Sequence, residues 1–166
     1  MIRRSVLAMP WLIVSLLLLS GCVTPYDIGT ADPRVTPVEA AKDVAGMLNP
    51  NVAWGGLIAA AKNLKDKTEL EVVGYPLDSE NRPDSNAAPT GRFLVTQPGY
   101  LETADYAPNR LITVVGRVTA TRNGTVGEAA YVYPVVVASK MRLWPKPTAQ
   151  QREPGFHFGI GVGIMR

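Results

Sequence analysis

Between Leu111 and Thr121 apolar and polar side chains alternate, with Ile112, Val114, Val118 and Ala120 on one face and Thr113, Arg117, Thr119 and Thr121 on the other. Successive side chains of an extended chain point to opposite faces, so a period of two predicts a strand with one face buried and one wet. Asn123-Gly124 follows, a dipeptide suited to a two-residue hairpin turn whose central positions take positive φ. Four further segments read the same way. Trp54, Ile58 and Ala60 share one face of a first strand that begins near Val52, and Leu70 and Val72 alternate with Glu69 and Glu71 in a second. Phe93 and Val95 mark a third, and the fifth runs from about Val135 to Trp144. Its Val135, Val137, Met141 and Leu143 fall on one face, with Lys140 and Arg142 on the other. Short alternating strands divided by turn signals predict an all-β antiparallel sandwich or barrel.

Gly55-Gly56 in the first strand and Gly116 in the fourth sharpen this. Glycine inside a strand marks a bulge or bend where a sheet curls onto itself, or a close approach by a bulky neighbour such as Trp54. Five strands with such bends suit a small, partly open barrel of the OB type. Residues 78–91, with Pro83 and Pro89, are expected as an exposed loop between the second and third strands.

The N-terminal region carries a different signal. Arg3 and Arg4 precede a charge-free apolar run from Trp11 to Leu19, which ends in Leu19-Ser20-Gly21-Cys22. A positive start, a short apolar stretch and small residues before a cut site make a secretory signal. From Val6 to Leu19 the run is shorter than the ~20 residues a membrane span needs, and Pro10 interrupts it. The cysteine after the cut resembles the lipobox of bacterial lipoproteins, where the thiol receives a diacylglycerol. Cys22 is the only cysteine, so it has no disulfide partner within the chain. We therefore expect a signal peptide over 1–21, lipidation at Cys22 and a tether over 22–35, which is rich in Thr, Pro, Asp and Gly without an apolar period. The domain is expected over 36–144 and a C-terminal tail over 145–166.

The domain opens with a helix signature: Thr36 as N-cap, Pro37 at the first helical position and Glu39 three residues after the cap. Val38, Ala41, Ala45 and Leu48 then share one helical face until Asn49-Pro50 stops the run. Charge is uneven along the chain. Losing Arg3 and Arg4 with the signal lowers the formal net charge from +3 to +1, so the basic pI is no nucleic-acid footprint. From Cys22 to Ser139 there are 10 Lys/Arg against 13 Asp/Glu, whereas from Lys140 onward there are 5 against Glu153 alone. The basic end fits contact with anionic lipid or an acidic partner, and equally a solvated tail.

Trp54-Gly55-Gly56, Tyr75-Pro76-Leu77, Gly91-Arg92-Phe93, Thr113-Val114-Val115-Gly116, Gly127-Glu128, Tyr131, Tyr133-Pro134-Val135-Val136 and Leu143-Trp144 occur in that order. Together with the lipobox, this ordered set resembles the Slp family of outer-membrane lipoproteins, known for induction under starvation and stress. The resemblance covers about Val52 to Trp144 and leaves the tail outside. It implies a lipid-anchored protein of the outer membrane in the Gram-negative cell envelope, with no catalytic residues to carry over. Asn109 stands where the family pattern has a glycine before the fourth strand, and asparagine also tolerates positive φ.

Little in the chain points to catalysis. The only histidine, His157, lies in the tail, and no G-x-S-x-G elbow accompanies it. Asp78, Glu80 and Asp84 lack the glycine and terminal glutamate of an EF-hand loop, and read as a solvated loop. Glu69 and Glu71 read as an outward polar face. Arg92 beside Phe93, and Glu128 beside Tyr131 and Tyr133, form either a buried ion pair or a ligand cleft, and a structural lock of strand ends is the expected role. No catalytic residue, metal or cofactor is expected. An OB-like barrel raises oligonucleotide binding, but export and the acidic core argue against it. In the tail, Phe156, Phe158, Ile160, Val162 and Ile164 alternate with His157, Gly159, Gly161, Gly163 and Met165. That pattern predicts a strand that pairs with the domain, pairs with a partner's edge or lies on the membrane.

The expected role is a non-catalytic, stress-related one in the envelope, structural or partner-binding, with the outer membrane reached through the anchor and no nucleic acid bound. The competing expectation is a small-ligand or lipid binder using a barrel mouth near Trp54, Phe93 and Tyr131. With Phe156 and Phe158, these are the candidate ligand or partner residues. A continuous apolar pocket lined by them would favour the binder; a filled barrel would favour the structural role.

Overall fold

The structure, a computed structural model, describes residues 24–46 and 50–146. One short helix, α1 (Pro37–Lys42), precedes five strands: β1 (Asn51–Asn63), β2 (Lys67–Tyr75), β3 (Gly91–Pro98), β4 (Leu111–Val126) and β5 (Ala129–Leu143). The strands close into a barrel in the order β1-β2-β3-β5-β4. All neighbours are antiparallel except β3 and β5, which run parallel over Leu94–Thr96 and Val135–Val137. This is the OB-like barrel expected from the alternation, and β4 and β5 run on past it as a two-stranded arm, since β1 pairs with β4 only as far as Arg117.

Branched and aromatic side chains fill the interior. Val52, Trp54, Ile58, Leu70, Val72, Phe93, Val95, Ile112, Val114, Val118 and Val136 form one buried cluster. Three extra residues set which ones point inward. The β1–β2 register jumps between Ile58 and Ala60, and the β4–β5 register jumps between Val115 and Gly116 and again between Val118 and Ala120. Beyond such a bulge, period-two counting is wrong by one residue. Ala60 and Ala120, expected inside, are therefore exposed. In β5 Ser139 is the extra residue, because Lys140 and Ala138 pair with the adjacent Val115 and Gly116. Met141 and Leu143 pack on the core as expected, but on the other side of the bulge Val136 is the buried residue and Val137 is 37% exposed.

Gly55 and Gly56 carry no register shift, since both pair with β2 and with β4 at once. Their role is close approach: a Cβ on Gly56 would collide with the Val73 carbonyl oxygen. Gly116 does sit at a register shift, and a Cβ there would meet the Val137 carbonyl. Asn123-Gly124 is no turn; these residues pair with Val132 and Tyr131 inside the ladder. The chain reverses at Gly127-Glu128, where Gly127 has φ +59°, positive as the first central residue of a type II′ turn requires. Asn109 adopts φ +66°, as the asparagine-for-glycine reading expected.

The capping box at Thr36 is formed in both directions: Glu39 N–H donates to Thr36 Oγ1 at 3.2 Å, and Thr36 N–H donates to Glu39 Oε2 at 2.8 Å. The helix buries Pro37 and Ala40, with Val44 beyond its end packed on the core. Val38 and Ala45, expected on the buried face, are exposed. Helix and core meet one position away from the stripe that composition suggested, and Leu48 lies outside the described residues.

Residues 24–35, expected as a free tether, are laid against the outside of β1 and β4. Asp32 bridges Val52 in parallel, accepting from Ala53 N–H at 3.1 Å and donating to Asn51 O at 3.0 Å. The loop after β2 joins them rather than standing free: Leu77 packs with Tyr26, Ile28, Ala31, Ala53 and Val115 in a second small core. The chain satisfies outward apolar residues such as Ala53 and Val115 with its own flanking segments, since one barrel interior cannot hold them.

Candidate functional site

Of the five candidate binding residues, Trp54 and Phe93 lie inside the filled barrel. Their rings meet edge to face at 5.1 Å and 64°, and Phe93 is fully buried while Trp54 is 4% exposed. The Trp54 indole N–H donates to Val35 O at 2.6 Å, which leaves it no polar handle for a ligand. The crevice beside it, between Val35, Pro37, Tyr75 and Leu77, holds about 20 Å³, room for roughly one water. Tyr131 lies on the outer face instead, so among the described residues the three do not line a common mouth. Cys22, Phe156, Phe158 and His157 lie outside the described residues.

Tyr131 belongs to a polar lock on the outer face of β2 and β3. Its hydroxyl accepts from Arg92 N–H at 2.8 Å, and its ring meets Tyr133 at 4.8 Å. Arg92 pairs with Glu71 at 2.7 Å, and the Tyr133 hydroxyl lies 3.2 Å from the same carboxylate and 2.9 Å from Thr125 O. Burial, then the Glu71 charge, raises the Tyr133 pKa, so it stays a neutral donor. Further along β2, Arg122 grips Glu69 through two contacts of 3.0 and 2.5 Å, a bidentate geometry. The two glutamates do form the outward polar face expected of them, and each is held there by an arginine. The arginine beside Phe93 takes Glu71 rather than Glu128. The pairing was invisible in sequence because Glu69 and Arg122 are 53 residues apart.

A third cluster sits where the N-terminal segment enters. Tyr26 N–H donates to Glu80 O at 3.0 Å, and Asn81 Nδ2 donates to Tyr26 O at 2.8 Å. Asp27 pairs with Lys140 at 2.9 Å. The Arg142 guanidinium stacks over Trp144 at 4.2 Å and lies 5.6 Å from the Tyr26 ring, while Arg82 covers Trp144 at 5.6 Å. Trp144 is buried, and its indole N–H donates to Thr113 Oγ1, which itself donates to Asn81 O. Asp78, Glu80 and Asp84 form no cation cage. Asp78 Oδ1 accepts from the N–H groups of Glu80 and Arg82, Asp84 Oδ1 accepts from Asn86 N–H, and no three metal-type ligands converge among the described residues.

Three carboxylates of the docked segment are held ionised, and one of them, Asp27, ties it to Lys140 of the barrel. The hydrogen bond from Lys140 lowers the Asp27 pKa, that from the Arg34 side chain lowers Asp32, and Thr36 N–H lowers Glu39. Groups whose pKa falls on folding stabilise above their unfolded value, and that contribution is lost as pH drops through the folded value. Acidification below about pH 4 should therefore loosen residues 26–39 before the barrel. Amide exchange at Ala53 N–H, which donates to Asp32 O, is the measurement. Unchanged protection under those acidic conditions would show that the carboxylates do not hold the segment.

A sequence profile of the Outer membrane lipoprotein Slp family matches residues 19–160. The match extends past Trp144 through Phe156 and Phe158, so the tail, expected outside the resemblance, lies mostly within it. The uncharacterized lipoprotein YeaY of Escherichia coli (strain K12) is 30% identical over 157 residues, 87% of this chain and 79% of its own length. An uncharacterized protein of Haemophilus influenzae is 36% identical over 58% of the chain and 53% of its own, and the Outer membrane protein Slp of Escherichia coli is 31% identical over 55% and 48%. The chain thus spans about half the length of these last two relatives. Among solved structures, a small single-stranded DNA-binding protein from Streptomyces coelicolor aligns with a TM-score of 0.33 and 14% identity, over 58% of this chain and 95% of that one.

Proposed function

The chain belongs to the Slp family of outer-membrane lipoproteins, and from that premise we propose that it is a non-catalytic body of the envelope, lipid-anchored through Cys22, which serves a structural or partner-binding role under stress. The filled barrel carries this reading. Trp54 and Phe93 occupy the space that a ligand or reacting group would need, and the polar groups on the outer face of β2 and β3 engage each other. Among the described residues, the alternative of small-molecule uptake at a barrel mouth has only the crevice of about 20 Å³ beside Trp54. Nucleic acid is disfavoured for a related reason. OB folds bind oligonucleotides on the face of strands two and three, and here that face presents Glu69 and Glu71, each engaged with an arginine of this chain.

Mass spectrometry of the mature N-terminus tests the anchor. The wild-type chain should begin at Cys22 and carry the mass of a diacylglycerol. Cys22→Ala should remain uncleaved and unlipidated. An unmodified Cys22 in wild-type protein would remove the anchor from this reading.

A further inference from the structure

Two features from distant parts of the chain meet on one side of the barrel. Only three residues separate Cys22 from Tyr26, the first residue bonded to the loop after β2. Four steps of extended chain reach at most ~14 Å, so an anchored barrel has little freedom to choose which side meets the bilayer. On that side an open groove of about 560 Å³ runs between residues 28–31 and the outer face of β4 and β5. Ile28, Ala31, Val115 and Val137 give it an apolar lining, and Arg117 and Lys140 flank them. Val137 is 37% exposed, an apolar side chain on the same outside where Ala53 and Val115 are covered by Tyr26, Ile28, Ala31 and Leu77. Lys140 has Asp27 as its counter-ion, but among the described residues no carboxylate stands within ion-pair distance of Arg117.

An apolar centre beside an unneutralised cation suits the boundary between acyl chains and headgroups. Apolar side chains enter that boundary, and Lys or Arg reaches the phosphates. We propose that this groove is the face by which the anchored domain docks on the bilayer, with Ile28 and Val137 set against anionic phospholipid and Arg117 at its phosphates. The inference rests on the reading of Cys22 as the lipid site. The barrel is then a body of fixed orientation, and its opposite side, near Tyr100 and Lys65, is turned toward the aqueous space.

The full-length mature protein, purified in detergent, tests this. Acylation blocks the Cys22 thiol, so Val137→Cys or Tyr100→Cys each adds a single labelling site. Tyr100 is 68% exposed and its hydroxyl donates to Lys65 O, at the far end of β1 from the groove. Each labelled chain is reconstituted into vesicles of phosphatidylethanolamine with phosphatidylglycerol, or of phosphatidylcholine alone, both containing a headgroup-nitroxide lipid. Quenching should be strong at position 137 on the anionic vesicles and weak at position 100. Arg117→Gln should lower the docked-to-undocked ratio about five-fold, the effect of one cation at an anionic surface. Equal quenching at both positions overturns the proposal, as does quenching at 137 that ignores both lipid charge and Arg117→Gln. A 137 probe already shielded in detergent, and exposed by truncation after Lys146, overturns it in favour of the chain's own C-terminal segment. The mass of the same preparation separates the two readings. An unacylated Cys22 sinks both, whereas an acylated chain with an unquenched 137 probe sinks the docking face alone.

Discussion

Gly56→Val should cost roughly 4 kcal/mol or more, beyond the range of ordinary point mutants. Gly56 is paired on both sides, to Gly74 of β2 and Ile112 of β4. Any Cβ would strike the Val73 carbonyl oxygen and lie 2.7 Å from Val72 Cγ1. Both obstacles belong to the neighbouring strand of a closed barrel, so relief requires β1 and β2 to separate rather than one side chain to rotate. Valine adds two more atoms to that collision. Thermal unfolding of the signal-free protein should show a midpoint lowered by on the order of 10–20 °C, or no cooperative transition. Gly124→Ala is the control within the same kind of ladder, because its Cβ meets only the Tyr133 ring edge at 3.1 Å. Equal melting of the Gly56 variant and wild type would mean that the strands do not approach as described.

Trp54→Ala should cost roughly 3–5 kcal/mol, the usual toll of emptying a large aromatic from a core. Two losses combine. The cavity opens against Phe93, and Val35 O loses the indole N–H that reaches it at 2.6 Å. Because Val35 ends the docked N-terminal segment, exchange protection at Ala53 N–H should fall along with global stability. Trp54→Phe separates the two effects. It keeps most of the buried ring and should lose about 1 kcal/mol, near the worth of one hydrogen bond. If the alanine variant melts like wild type, the interior is not packed around Trp54.

The local signals were legible where one residue and its near neighbours decide the outcome. Thr36, Pro37 and Glu39 form their cap because every partner lies within three residues. Leu70 and Val72 alternate correctly with Glu69 and Glu71 because β2 contains no extra residue of its own. Asn123-Gly124 failed for a related reason. The dipeptide favours a turn locally, but continuing the ladder to Val126 and Ala129 places Arg122 against Glu69 and Tyr133 against Glu71. Contacts on a distant strand outweighed a turn preference.

Sequence alone determined the all-β class, the five strands, the helix cap, the likeness to outer-membrane lipoproteins and the candidate anchor at Cys22, because each depends on period, composition or adjacent residues. Tertiary structure alone decided which residues face inward beyond each bulge, since closing the barrel requires extra residues at positions that no local period reveals. It also decided that Trp54 and Phe93 fill the barrel rather than line a mouth, and that residues 24–35 are docked rather than free. Those outcomes depend on what stands opposite in space. Ala53 and Val115 needed a cover, and the cover came from a segment whose own composition gave no sign of packing.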